Sequence, residues 1–125
     1  MSEQQHITDA EWDVMQVVWS DGRVSAADVI SELSEDKGWN HRTVRTLLAR
    51  LVDKEILTYE VDGNRYVYKA KVTRQRCVRS EGRSFVNKVF GGDVKSLLLH
   101  FVDDSDLDAE DLKKLREALK SKKRS

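Results

Sequence analysis

The chain has 125 residues with 22 basic against 22 acidic side chains, no proline and a single cysteine, Cys77. That length holds one or two small domains, and the balanced charge excludes a diffuse polycation that coats nucleic acid. No apolar run approaches the ~20 residues of a membrane span, no intrachain disulfide can form, and no basic, apolar leader opens the sequence, so a reducing cytoplasm without membrane insertion is the expected location.

The first 36 residues are acidic, with Arg23 alone against nine Asp or Glu. A first helix is expected over about 8–19. Thr8-Asp9-Ala10-Glu11 has the spacing of a capping box, and Ile7 and Trp12 can staple across it. Trp12, Met15, Val18 and Trp19 are its inward candidates, and Asp21-Gly22 ends it. Ser25-Ala26-Ala27-Asp28 offers a second cap, flanked by Val24 and Val29, and opens a short helix over about 25–33 with Val29, Ile30 and Leu33 on one face. Each such cap contributes about 1 kcal/mol and fixes the angle at which the chain enters the helix.

Gly38 leads into a third helix over 39–54, capped by Asn40, with Trp39 and Val44 as its staple pair. Val44, Leu47, Leu48, Leu51 and Val52 recur at i, i+3, i+4, i+7 and i+8, which makes one apolar stripe. The opposite face carries Asn40, His41, Arg42, Thr43, Arg45, Thr46, Ala49 and Arg50, with no carboxylate before Asp53. A solvated face would ordinarily mix Glu with its Arg. Forked donors among short polar groups suit phosphates and base edges instead.

Such a helix is roughly 22 Å long and fits a major groove about 12 Å wide. Recognition helices lead with their amino ends, so Arg42, Arg45 and Thr46 are placed for base edges, with His41 facing DNA beside them. Asn40 and Thr43 are placed for phosphate, and Arg50 for either.

After Glu55 the period changes from 3.6 to 2. Leu57, Tyr59 and Val61 alternate with polar residues, Asp62-Gly63-Asn64 turns the chain, and Tyr66, Val67, Tyr68 and Ala70 return it. A hairpin packed on three helices is the architecture of a winged helix-turn-helix, with Asn64 and Arg65 at the wing tip near the DNA backbone or minor groove. Seven basic residues from Arg65 to Arg83 face one acid, Glu81. Together with Arg42, Arg45, Arg50 and Lys54 they form two basic segments that could share a surface.

Residues 73–125 are expected to form a second, three-helix unit. Its apolar positions are Val78, Phe85, Val86, Val89 and Phe90 in the first helix, broken by Gly91-Gly92. Val94, Leu97, Leu98, Phe101 and Val102 follow in the second, and Leu107, Leu112, Leu115 and Leu119 in the third. Some fifty residues in three short helices bury little alone and need staples or a partner. The reading is a homodimer held through Phe85, Val89, Phe90, Val94, Leu97, Leu98, Phe101, Leu112, Leu115 and Leu119, against the alternative that this unit packs on the first half of its own chain. The expected division is therefore 1–72 for DNA binding and 73–125 for dimerisation.

Catalysis is not expected. His6, His41 and His100 are far apart, and there is no phosphate loop, paired-carboxylate frame, nucleophile motif, cofactor-binding signature or metal-ligand spacing. Asp103 to Asp111 misses the offsets of a calcium loop and suits a linker plus a helix amino end. Cys77 reads as a small apolar residue.

Three segments carry a resemblance: Ile7-Thr8-Asp9-Ala10-Glu11-Trp12-Asp13-Val14-Met15 with Trp19, Thr43-Val44-Arg45-Thr46-Leu47-Leu48-Ala49-Arg50-Leu51, and Phe90-Gly91-Gly92-Asp93. Over about residues 7–120 the chain resembles the penicillinase repressor family. The resemblance implies an amino-terminal winged helix, a carboxy-terminal helical dimerisation domain, and repression from inverted-repeat operators in double-stranded DNA at resistance genes. In the β-lactam-responsive branch an inactivating protease cuts an Asn-Phe bond, and the corresponding bond here is His100–Phe101, with the Asn replaced. The copper-responsive branch carries carboxy-terminal Cys-x-Cys motifs, which this sequence lacks. Two rival readings use the same fold: a protein–protein adaptor, and a transcriptional activator.

Overall fold

A computed structural model describes residues 6–104 and 106–124, so the outermost ends of the two expected domains lie outside the described residues. The order is α1 (Asp9–Asp21), β1 (Arg23–Ser25), α2 (Ala26–Lys37), α3 (His41–Asp53), β2 (Leu57–Asp62), β3 (Arg65–Ala70), α4 (Arg74–Phe90), α5 (Val94–Asp104) and α6 (Ala109–Arg124). This is a mostly helical fold with a winged helix-turn-helix followed by three further helices, as the periodicities predict.

The helix starts follow from local chemistry. The Thr8 hydroxyl accepts the Glu11 amide at 3.2 Å while the Glu11 carboxylate accepts the Thr8 amide at 2.9 Å. Ser25 and Asp28 repeat the exchange at 3.2 and 3.0 Å, and Asn40 accepts the Thr43 amide at 2.9 Å. Each satisfies donors that a helix leaves unpaired in its first turn. At the far end of α2, Gly38 takes a left-handed conformation (φ 71°) and donates to the Ser34 carbonyl, a geometry that costs a residue without a Cβ little.

Packing then joins the stripes. Val14, Met15 and Val18 of α1, Val29 and Leu33 of α2, and Val44, Leu47, Leu48 and Leu51 of α3 are buried in one core with Ile56 and Leu57. Trp12 and Trp19 meet edge to face at 5.4 Å and pack against that core, half-buried, and the Trp19 indole donates to the Val72 carbonyl at 3.0 Å. The ring edges thus bury apolar area while the one indole donor named finds an acceptor, which suits a large side chain at a core rim.

Two features differ from the expectation of a bare hairpin. The sheet has three antiparallel strands in the order β1-β3-β2. The extra strand is three residues long, too short for any periodicity, and pairs Val24 with Tyr68 and Ser25 with Val67. The predicted alternation of β2 and β3 is present in register, Leu57 opposite Ala70 and Tyr59 opposite Tyr68. Only its base is covered, however: Leu57 is buried, whereas Tyr59, Val61 and Tyr66 are 41%, 66% and 48% exposed. The strands outrun the helices, and their apolar face continues into open space.

The chain forms two compact units, the first ending at Gly82 and the second starting at Arg83. That division falls ten residues beyond the expected one at 72/73, inside α4. Its physical reason is Cys77, fully buried in the core of the first unit. In the second unit α5 starts at Asp93, which accepts from the Ser96 amide and hydroxyl. Asp108 and Asp111 cap α6 reciprocally, the Asp111 amide donating at 2.8 Å. The acidic run therefore spans the end of α5, where Asp103 and Asp104 lie, and the start of α6. Gly91 and Gly92, both at positive φ, turn the chain between α4 and α5.

Candidate nucleic-acid interface

With 13 residues, α3 is about 20 Å long, and its two faces separate as the sequence predicts. Val44, Leu47, Leu48 and Leu51 are buried, and His41, Arg42, Thr43, Arg45, Thr46, Ala49 and Arg50 are all exposed, with Asn40 exposed at the cap. The stripe that binds α3 to its neighbours thereby fixes the direction of the polar face.

Several cations of this unit are paired, and the three arginines of the α3 face are not. Arg23 pairs with Glu60 at 2.7 Å, Lys37 with Asp13, Lys69 with Glu60, and Lys71 with Glu55 at 2.9 Å. Arg42, Arg45 and Arg50 have no carboxylate partner among the described residues. A surface arginine left without an acid keeps its forked donors available to an incoming anion.

Several cations of the two basic segments are already engaged. Lys54 points inward, its ammonium donating to Glu11 Oε1 at 2.6 Å and to the His6 carbonyl at 2.8 Å. Lys69 and Lys71 are paired within the sheet and its approach, and Arg74 donates to Gln16. Arg65, like Arg76 and Arg79, has no salt-bridge partner among the described residues.

Arg65 stands with Asn64 at the wing tip, where Gly63 at φ 66° lets a two-residue loop join Asp62 to Arg65. Between wing and α3 lies a cleft of about 440 Å³ lined by residues 25–27, Arg45, Asn64, Arg65, Tyr66 and Tyr68. Burial pushes the Tyr68 phenol above its ordinary value, with the Arg45 guanidinium pulling the other way, so the phenol keeps its proton at neutral pH. The Ser25 amide and hydroxyl hold the Asp28 carboxyl below its ordinary range, and the Arg65 charge adds to the effect. Tyr59 stacks on Tyr66 at 4.4 Å and 22°.

The sequence signal for Arg45 was helical spacing alone. Nothing in it joined that residue to Tyr66 and Tyr68, although three tyrosines on one face of a hairpin could have suggested an open aromatic wall.

In the second unit, Phe85, Val89, Val94, Leu98, Phe101, Leu112, Leu115 and Leu119 are exposed, while Phe90 and Leu97 are half-buried. No residue of α5 is buried. His100 and Phe101 lie mid-helix, ring to ring at 5.4 Å, with Phe90 6.1 Å from His100. Among the described residues no helix is long and apolar enough to cross a membrane.

Comparison with known proteins agrees with this arrangement. The chain is 36% identical over 118 residues to the penicillinase repressor of Staphylococcus aureus, covering 94% of each chain. It is 34% identical over 116 residues to the methicillin resistance regulatory protein MecI of Staphylococcus aureus (strain N315), covering 93% of this chain and 94% of that one. Among solved structures it is similar to the Bacillus licheniformis BlaI monomeric form in complex with the blaP half-operator. There the TM-score is 0.53 at 33% identity, over 60% of this chain and 92% of that chain. A profile of the penicillinase repressor matches residues 7–121; with the capped three-helix core, the wing, α4, α5 and most of α6 inside that span, the chain belongs to the penicillinase repressor family.

Proposed function

We propose that this protein is a cytoplasmic transcriptional repressor that binds an inverted-repeat operator as a homodimer, at promoters of resistance-type genes. The observation that carries it is the exposed face of α3, where Arg42, Arg45 and Arg50 stand without carboxylate partners, whereas Arg23, Lys37, Lys69 and Lys71 are paired. The relative solved with a half-operator lends the same chemistry to this fold. Residues 1–72 carry recognition: Arg42 and Thr46 near the amino end of α3 meet base edges beside His41. Asn40 and Thr43 meet phosphate, Arg50 either, and Asn64 and Arg65 the flanking backbone.

Residues 73–125 carry dimerisation. Phe85, Val89, Phe90, Val94, Leu97, Leu98, Phe101, Leu112, Leu115 and Leu119 present more apolar surface than a solvated unit ordinarily keeps, and a second copy covers it. Release of the operator follows loss of that pairing, with an inactivating protease acting at His100–Phe101 as the relevant case. That bond sits inside α5, so cleavage requires the helix to open locally first.

Selecting bound duplexes from random DNA with the full chain tests the reading. Two inverted half-sites are expected, and Arg42→Ala costs about 1–3 kcal/mol of discrimination at one base pair of each half-site. Enrichment of no sequence, with Arg42→Ala leaving function intact in cells, would favour a protein–protein adaptor.

A further inference from the structure

Arg45 differs from Arg42 and Arg50 in what surrounds it. It is the α3 residue that lines the cleft, together with Asn64, Arg65, Tyr66 and Tyr68 of the wing. Two arginines on separate elements therefore line one open space of about 440 Å³. Neither has a salt-bridge partner among the described residues; Asp28, whose carboxyl is engaged by Ser25, interacts electrostatically with Arg65.

The rest of the lining is apolar or neutral. Tyr66 lies against Tyr59 as a flat, half-exposed stack, and residues 25–27 are Ser, Ala and Ala. Arginine forks match phosphate oxygens in pairs, while aromatic faces and Ala methyls suit the apolar edge of a sugar. Such an arrangement takes an anion carried on an apolar frame. When α3 lies in a major groove with the wing beside it, the groove's phosphodiester strand is the element of DNA that passes between them.

We propose that the cleft between α3 and the wing seats one operator phosphodiester, gripped by Arg45 from the helix and Arg65 from the wing, so that Arg45 sets affinity and register while Arg42 reads bases. This assignment rests on the DNA-binding reading and proposes for Arg45 a phosphate in place of the base edge expected from sequence. A phosphate clamp contributes equally on every sequence and releases counterions. A base reader discriminates and leaves the salt dependence nearly unchanged.

The test uses the full chain, the selected palindrome and a scrambled duplex of the same composition, with affinities measured from about 50 to 200 mM salt. Arg45→Ala is expected to weaken both duplexes by a common factor and to lower the salt slope by about 0.9 per head. Arg45→Lys should restore much of the slope. A neutral methylphosphonate walked along the half-site should find one position that weakens the natural protein and has no effect on Arg45→Ala. Arg45 is exposed, so these variants keep the fold.

The proposal is overturned if Arg45→Ala lowers the palindrome-to-scramble ratio about tenfold or more at unchanged slope, the mark of a base contact. It is equally overturned if Arg45→Ala changes neither affinity, which would leave the cleft to a small anionic ligand. Absence of salt-dependent binding of either duplex by the natural protein would sink the DNA reading itself, before any variant is compared.

Discussion

Glu11 spends one carboxylate oxygen twice, accepting the Thr8 amide in the α1 capping box and the Lys54 ammonium at the end of α3. Its side chain is 1% exposed, and Oε2 has no hydrogen-bond partner among the described residues. Burial raises the pKa of this carboxyl, but Lys54 and Thr8 together hold it below its ordinary value. A pair of this kind adds little over an apolar equivalent, yet breaking it strands a buried charge. Lys54→Met should therefore cost about 3 kcal/mol of unfolding free energy at pH 7. The low end of the range applies because the lysine is partly exposed.

The pH dependence has a definite sign. A carboxyl with a lowered folded value takes its proton later in the folded than in the unfolded chain. Its stabilisation is full above the ordinary value of 4.5 and fades as pH falls through the folded value. Urea midpoints measured between pH 7 and pH 3 should fall for the natural protein and fall less for Lys54→Met. Parallel curves would remove Lys54 as the cause. The capping half of this arrangement was legible, because i and i+3 spacing encodes it. The Lys54 half was not: its partner lies 43 residues away, and nothing local marks the lysine as inward.

The helix that presents the polar face is delimited by unlike devices at its two ends. Asn40 starts α3 with a side-chain acceptor, and α3 ends on Lys54, followed by Glu55 at φ 62°. Glu55 is the one residue other than glycine at positive φ among those described, in a region where a Cβ crowds the backbone. Its position is fixed from outside: the Ile56 amide donates to Leu51, the Lys71 amide to Ile56, and the Lys71 ammonium to the Glu55 carboxylate.

Asn40→Ala is expected to lose about 1 kcal/mol, and Asn40→Gly only a few tenths. Glu55→Gly should gain stability, since glycine takes this conformation without the steric cost. Thermal melts of the free protein decide both, and a lower melting temperature for Glu55→Gly would mean that the Lys71 contact outweighs the backbone. Helix starts and the apolar stripe were legible in sequence because they are local and periodic. β1 was not, since three residues carry no period. The wing's exposure was not, since alternation marks which residues share a face but not how far the helices beneath it extend.

At the scale of the molecule, the proposed function gives a neutral chain one recognition helix per copy, modest means of holding DNA, and assigns to the second unit the joining of two copies. The apolar positions of α4, α5 and α6 were legible from spacing, and the structure leaves eight of the ten chosen for dimerisation exposed in the single chain. Which copy-to-copy register they adopt is not periodic information, so sequence could list the surface without arranging it. Tying two heads together makes the second half-site encounter intramolecular and raises affinity by ~10²–10⁴ without a new contact.

The double variant Leu98→Glu with Leu115→Glu places charges on α5 and α6 at positions already exposed in one chain, so each chain should fold while pairing fails. Sedimentation should show a monomer with unchanged helical circular dichroism. Its affinity for a palindrome should drop by that same factor, with affinity for a single half-site unaltered. If the variant stays dimeric, the interface lies elsewhere on the second unit. If it becomes monomeric and binds the palindrome as tightly as before, the two heads do not act together, and repression has to be explained by one helix alone.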